Sequence, residues 1–128
     1  MKIINHGKWS VYTPAKPNPQ APLNAVYARN GKGEDWYYYI DPKNGKFHTS
    51  SVIATITENY GGSTIGAAVY EPDRLFPDNG HIIEIMGYRG NNPQKDLGSR
   101  YFDLDSLTIS EETIFDRVKK LVEETEQK

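Results

Sequence analysis

Catalysis and metal binding need particular side chains at particular spacings, and this 128-residue chain offers few of them. Its three histidines, His6, His48 and His81, lie far apart, without the HxH or HExxH spacing that turns two imidazoles toward one metal ion. Asp103 and Asp105 in FDLDS would share one face of a strand and offer oxygens to a divalent cation. No third oxygen ligand follows locally, so a solvated edge is the favoured reading. The glycines of GKG (31–33) and GG (61–62) lie between strand-like segments, which makes them turn residues rather than a phosphate cradle at a helix start. HTSS (48–51) sets hydroxyls beside a histidine but lacks the elbow that would expose a nucleophile. With no cysteine, thiolate nucleophiles, disulfides and cysteine-based zinc sites are excluded together. The expectation is a non-catalytic protein without metal or cofactor.

The unusual feature is aromatic. Nine Tyr, two Trp and four Phe give large, stiff, amphipathic contact surface of the kind enriched at interfaces, although sheets also favour such residues. Four aromatics run together in EDWYYYI (34–40). Read as a strand, this segment sends Trp36, Tyr38 and Ile40 to one face and Tyr37 and Tyr39 to the other. The first face is expected in the core. For the second, packing within the sheet and a recognition surface are both open, and contact with a partner is the working expectation.

The remaining text reads as strands and turns with one helix. KII and WSVYT open the chain, and PAKPNPQAPLN follows, with prolines at 14, 17, 19 and 22 that make it an extended arm. AVYAR and DWYYYI flank NGKGE, which predicts a β-hairpin, and DPKNGK supplies the next turn. In VIATITE, Val52, Ala54 and Ile56 share a face opposite Ile53, Thr55 and Thr57. In TIGAAVY, Ile65, Ala67 and Val69 share a face opposite Thr64, Gly66 and Ala68, where small residues allow close approach. HIIEIMGY is another strand, RGNNPQKDLGS a polar loop, and RYFDLDSL a short strand. The end, from SEETIF onward, predicts an amphipathic helix capped by Ser110, with Glu111 and Glu112 complementing its dipole. Ile114, Phe115, Val118, Leu121 and Val122 form its apolar stripe, expected on the sheet or on a partner helix. The fold class is therefore α+β, mainly β: an antiparallel, meander-like sheet with one C-terminal amphipathic helix.

Length predicts a single domain, divided into an N-terminal strand and proline-rich arm (1–24), a β-rich core (25–107) and a C-terminal helix (108–128). The formal charge of -2 leaves no basic field for nucleic acid. No apolar run approaches a membrane span or a signal peptide, which points to the cytoplasm.

The order of features from residue 26 to 85 resembles the tail-fibre assembly proteins of tailed bacteriophages and prophages. The resemblance rests on ARNGKGEDWYYYI, with its Asp35, Trp36, Tyr37 triplet, and on the spacing of Asp73, Leu75, Pro77 and Gly80 in EPDRLFPDNG. It covers slightly under half the chain, and neither the arm before residue 25 nor the text after HIIEI follows the family's pattern. The resemblance implies a β-rich module that binds the tip of a trimeric tail fibre in the bacterial host cell and helps it fold or assemble. Such a chaperone covers apolar surface and unpaired strand edges before the fibre closes. The residues expected to contact the partner are Trp36, Tyr37, Tyr39, Arg74 and Phe76. A second reading is a small phage accessory protein that binds and inhibits a host protein, using the helix face around Phe115 and Leu121. A third is an enzyme or sugar-binding domain in which aromatics stack on a ligand beside Asp103 and Asp105.

Overall fold

The computed structural model describes residues 1–19, 21–59 and 61–126. Seven strands form one sheet: β1 (Lys2–Tyr12), β2 (Tyr27–Asn30), β3 (Val52–Asn59), β4 (Gly62–Val69), β5 (His81–Met86), β6 (Arg100–Asp103) and β7 (Thr108–Thr113). Among the described residues three α-helices accompany them, α1 (Trp36–Tyr39), α2 (Pro93–Leu97) and α3 (Ile114–Glu126), with 3-10 turns at Pro42–Asn44 and Pro72–Arg74. The spatial order is β2-β1-β5-β3-β4-β6-β7, antiparallel at every junction. The class is α+β, mainly β, as the sequence indicates. The consecutive strands β1 and β2, β3 and β4, and β6 and β7 are neighbours, while β5 lies between β1 and β3, so the other three connections pass over at least one strand.

Both faces of the sheet are covered, and this explains the apolar text on both sides of its central strands. On one face Val52, Ala54, Ile56, Ile65, Ala68, Ile83 and Ile85 pack with Leu97 of α2 and Phe102 of β6. On the other, Ile53 and Ile82 meet Trp9, Ala28, Trp36, Tyr39 and Leu75. The alternation read in β3 is correct as to which residues share a face, but Ile53 is as buried as its neighbours.

Two β-bulges override simple alternation. In β1 the register against β5 shifts between Asn5 and Lys8, where Gly7 has φ +87, a backbone state that an L side chain rarely adopts. The extra residue brings His6 and Trp9, three apart, onto the same face, where both rings pack on Tyr39. In β4 the register against β3 shifts by one residue between Ile65 and Ala68. Ile65 and Ala68 therefore share one core while Ala67 and Val69 join the other, which corrects the expected grouping of Ile65 with Ala67 and Val69. The side-chain amide of Gln94 in α2 closes the bulge: its Nε2 donates to Gly66 O and its Oε1 accepts from Ala68 N, both at 2.9 Å. It stands in for a neighbouring strand along that edge.

Three further expectations are corrected. The segment 36–39 is a helical turn, not a strand, so the predicted hairpin reduces to β2, a turn and one bridge between Arg29 and Asp35. Four successive aromatics carry no polar alternation to favour a strand, while Asp35 caps the turn by accepting from Tyr37 N at 3.0 Å. Helical spacing turns Trp36 and Tyr39 inward and leaves Tyr38 48% exposed, where a strand would have buried Tyr38. At the C-terminus, residues 108–113 are β7 and the helix begins at Ile114. Its cap is Thr113, not Ser110: Thr113 Oγ1 accepts from Asp116 N and Asp116 Oδ2 accepts from Thr113 N, a reciprocal capping box. Finally, the apolar stripe of α3 does not lie on the sheet, for Phe115 is 68% exposed and Val118, Leu121 and Val122 are each about half exposed.

Candidate functional site: an apolar groove built by the proline arm

The arm between β1 and β2 folds back over the sheet edge and encloses, with the strand ends, a groove of about 780 Å³ running along residues 11–27. Prolines 14, 17, 19 and 22 line it. Fixed φ at these positions removes conformational freedom the arm would otherwise lose on binding.

Asp35 holds the arm in place. Its carboxylate is buried and accepts from Tyr12 Oη at 2.7 Å, from Asn18 Nδ2 at 2.7 Å and from Tyr37 N at 3.0 Å. Strand, arm and helical turn are thereby joined at one group. Asn18 N also donates to Tyr27 Oη at 2.9 Å, and Tyr37 Oη donates to Val26 O at 2.7 Å. Desolvation, with the hydrogen bond to Asp35 adding to it, pushes the Tyr12 hydroxyl up to about 12. Burial beside Asp35 raises that of Tyr37 as well. Both hydroxyls are therefore neutral donors at physiological pH.

Over this polar base the surface is apolar. Leu23 is 92% exposed and Val26 58%, with Val11 partly exposed beside them. Tyr12, Tyr27, Tyr37 and Phe76 continue from the groove as a line of edge-to-face and tilted rings 5.5 to 6.5 Å apart. Among the described residues, Tyr12 and Tyr27 are the titratable side chains that line the groove. The arrangement suits contact with apolar groups.

The five residues expected from sequence to contact a partner divide. Trp36 and Tyr39 are buried, which withdraws them from any contact surface: Trp36 Nε1 donates to Leu75 O at 3.1 Å, and the Tyr39 ring packs against Trp9, His6 and Phe47. Tyr37 and Phe76 are half-buried and come together beside the groove. Arg74 is exposed on the turn before Phe76 and pairs with Glu71 at 2.6 Å. Sequence reasoning missed Val11, Leu23, Val26, Asn18 and the role of Asp35. Leu23, the one large aliphatic residue in the proline-rich segment PAKPNPQAPLN, was the available signal.

The structure also gathers residues that looked unrelated in sequence. Glu84 of β5 is fully buried and accepts from His6 Nε2 at 2.9 Å on one oxygen. Its other oxygen accepts from His48 N at 2.7 Å, Ser51 Oγ at 2.7 Å and His48 Nδ1 at 3.1 Å. Burial pushes its pKa up, but these hydrogen bonds outweigh it and hold the carboxyl below the usual range. His6 Nδ1 in turn meets Tyr39 Oη at 2.5 Å. Four donors use the accepting positions of the carboxylate, so this cluster ties the 47–51 loop to β1 and β5 rather than offering a ligand site. Asp103 ends β6 and accepts from the backbone N–H groups of Asp105 and Ser106, a turn arrangement that does not align the two aspartates on a strand. Among the described residues no group of three or more His, Asp or Glu is arranged to hold a metal ion, and no helix is long and apolar enough to cross a membrane.

Comparison with protein-family models, curated proteins and solved structures returns no match.

Proposed function

We propose that the chain is a non-catalytic protein-binding module acting in the bacterial cytoplasm, and that its groove receives an apolar segment of a phage tail fibre before the fibre assembles. The observation that carries the reading is the exposure of Leu23 and Val26 over a groove whose walls are stiffened by proline and anchored through Asp35. Exposed apolar residues gathered at a preformed concave surface mark binding sites, and a rigid wall reduces the entropy lost on association. The tail-fibre target rests on the resemblance of residues 26 to 85, and Tyr37 and Phe76, which belong to that stretch, extend the aromatic line beside the groove.

The test is pull-down of a tail-fibre tip co-expressed with the tagged chain, with the double variant Leu23→Asp/Val26→Asp as comparison. Both side chains are exposed, so the fold is retained and circular dichroism checks it. Capture by the natural chain and at least about tenfold less by the variant supports the reading. Equal capture by both removes the groove from the account. If a host protein is captured through the groove in place of the fibre, the module is an inhibitor of that host protein.

A further inference from the structure

The strands β1 and β2 are unequal partners. β1 runs for 11 residues and β2 for 4, and β2 pairs only with Trp9–Tyr12. On its other side β1 pairs with β5 from Lys2 to Lys8. After Asn30 the chain turns away, held by Asn30 Oδ1, which accepts from Lys32 N at 3.1 Å and from Glu34 N at 2.9 Å. Among the described residues no strand therefore pairs with Lys2–His6 on the side that β2 leaves open. Alternate residues of a strand direct their N–H and C=O groups to each side, so this stretch presents a row of such groups about 17 Å long. A recess of about 440 Å³ lies between residues 5–8 of β1 and the 30–34 turn, where a continuation of β2 would run. Ile3 and Ile4, each half-buried and pointing to opposite faces, give the same stretch an apolar centre.

The charge at this edge has one sign. Lys2, Lys8 and Lys32 are exposed, and among the described residues none of them is in an ion pair. Glu34 is the carboxylate that lines the recess, and it is already engaged by Lys46 at 3.2 Å and by Asn30 Nδ2 at 3.0 Å. Lys8 also borders a smaller recess with Glu58 and Asp78 and pairs with neither. We infer that this edge accepts an extended, acidic segment of a partner protein, which joins the sheet as a strand beside Lys2–His6 and continues the line of β2. Main-chain hydrogen bonds to β1 supply the attachment, and carboxylates meeting the lysines supply the selectivity. Lysines and a bulge on a strand edge discourage pairing with neutral or basic strands and leave an acidic one favoured. A second copy is a poorer occupant, because two-fold pairing centred on Ile4 sets Lys2 of each copy near Lys8 of the other. The edge runs along residues 2–8 and the groove along residues 11–27, so this inference rests neither on the groove nor on its occupant.

The experiment titrates the full, isotope-labelled chain with three capped octapeptides, followed by NMR. The first peptide has two glutamates at each end and alternating valine and threonine between them. The second carries lysines in place of the glutamates, and the third keeps the glutamates but has proline in place of threonine. The first is expected to shift the backbone N–H signals of residues 2–8 and to slow their hydrogen exchange. The second should bind at least about tenfold more weakly. The third, which cannot form a strand ladder, should leave exchange unchanged. In Lys2→Glu/Lys8→Glu/Lys32→Glu the preference passes to the lysine peptide; all three side chains are exposed, and circular dichroism checks that the sheet is kept. Leu23→Asp/Val26→Asp should bind the first peptide as the natural chain does. No response at residues 2–8 up to millimolar peptide overturns the inference, as does binding of the second or third peptide as tight as that of the first. Protection of residues 2–8 that rises with protein concentration alone assigns the edge to a second copy and overturns it as well.

Discussion

Replacing Asp35 tests the idea that one carboxylate holds the groove together. In Asp35→Ala, Tyr12 Oη and the Asn18 amide lose a charged acceptor and Tyr37 N loses its helix cap. Hydrogen bonds to charged groups contribute roughly 1.5–3 kcal/mol each and an N-cap about 1 kcal/mol. The Tyr12 phenol is only partly buried and regains some water while the Asn18 amide is buried, so the net loss is about 3–5 kcal/mol, a large part of a typical stability of 5–15 kcal/mol. Asp35→Asn is the control. Asparagine caps a helix as well as aspartate does, and one oxygen still accepts, but its amide nitrogen faces a donor. Its cost is about 1–2 kcal/mol. Urea unfolding followed by tryptophan fluorescence gives both values. Hydrogen exchange then locates the change: the backbone N–H groups of Asn18, Ala21 and Ala25, bonded within the arm and to Tyr27, lose protection before those of β3 and β5. Both variants within about 0.5 kcal/mol of the natural chain, or an arm as protected as before, would refute the reasoning.

Three other perturbations follow from the same geometry. Glu84, held below its ordinary value of 4.5, supplies stability that is present above that pH and lost as pH falls through its folded value; Glu84→Gln therefore flattens the acid limb of stability against pH, read from urea midpoints between about pH 3 and 7. Tyr12 and Tyr39 are both raised from 10.0 to about 12, so their neutral forms favour the fold below pH 10 and that contribution disappears between pH 10 and 12. Absorbance titration at alkaline pH should show a late tyrosine step that coincides with unfolding and shrinks in Tyr12→Phe; a single step at the ordinary value would contradict this. Gln94→Ala removes both bonds that close the β4 bulge and should cost about 1–2 kcal/mol, measured as a lower urea midpoint, with Gln94→Glu restoring at most the bond from Ala68 N.

The strands β3 and β5 were legible because short runs rich in β-branched apolar residues, bounded by turns, have few other solutions. The bulges were not. Gly7 and Gly66 look like any strand glycine, and only the pairing register shows that each re-aims the side chains beside it. The aromatic run 36–39 misled because a segment without polar residues carries no period, and Asp35, the one informative neighbour, serves equally at a strand end and as a helix cap. The start of α3 was readable in hindsight: Thr113 precedes Asp116 by three, the capping-box spacing, whereas Ser110 has Thr113 at that distance. The site was hidden for a different reason. A proline-rich arm reads as a connector, and its attachment depends on Asn18 reaching Asp35 across 17 residues, a contact no local pattern encodes.

The central claim is that the groove, and not the buried aromatic cluster, binds a protein. The most direct measurement is affinity capture from lysate of the source cell after prophage induction, with mass spectrometry of the retained proteins, for the natural chain, Leu23→Asp/Val26→Asp and Leu121→Asp side by side. The account predicts a tail-fibre subunit retained by the natural chain and by Leu121→Asp and lost with the groove variant. A fibre subunit retained equally by all three chains, or lost only with Leu121→Asp, would contradict it.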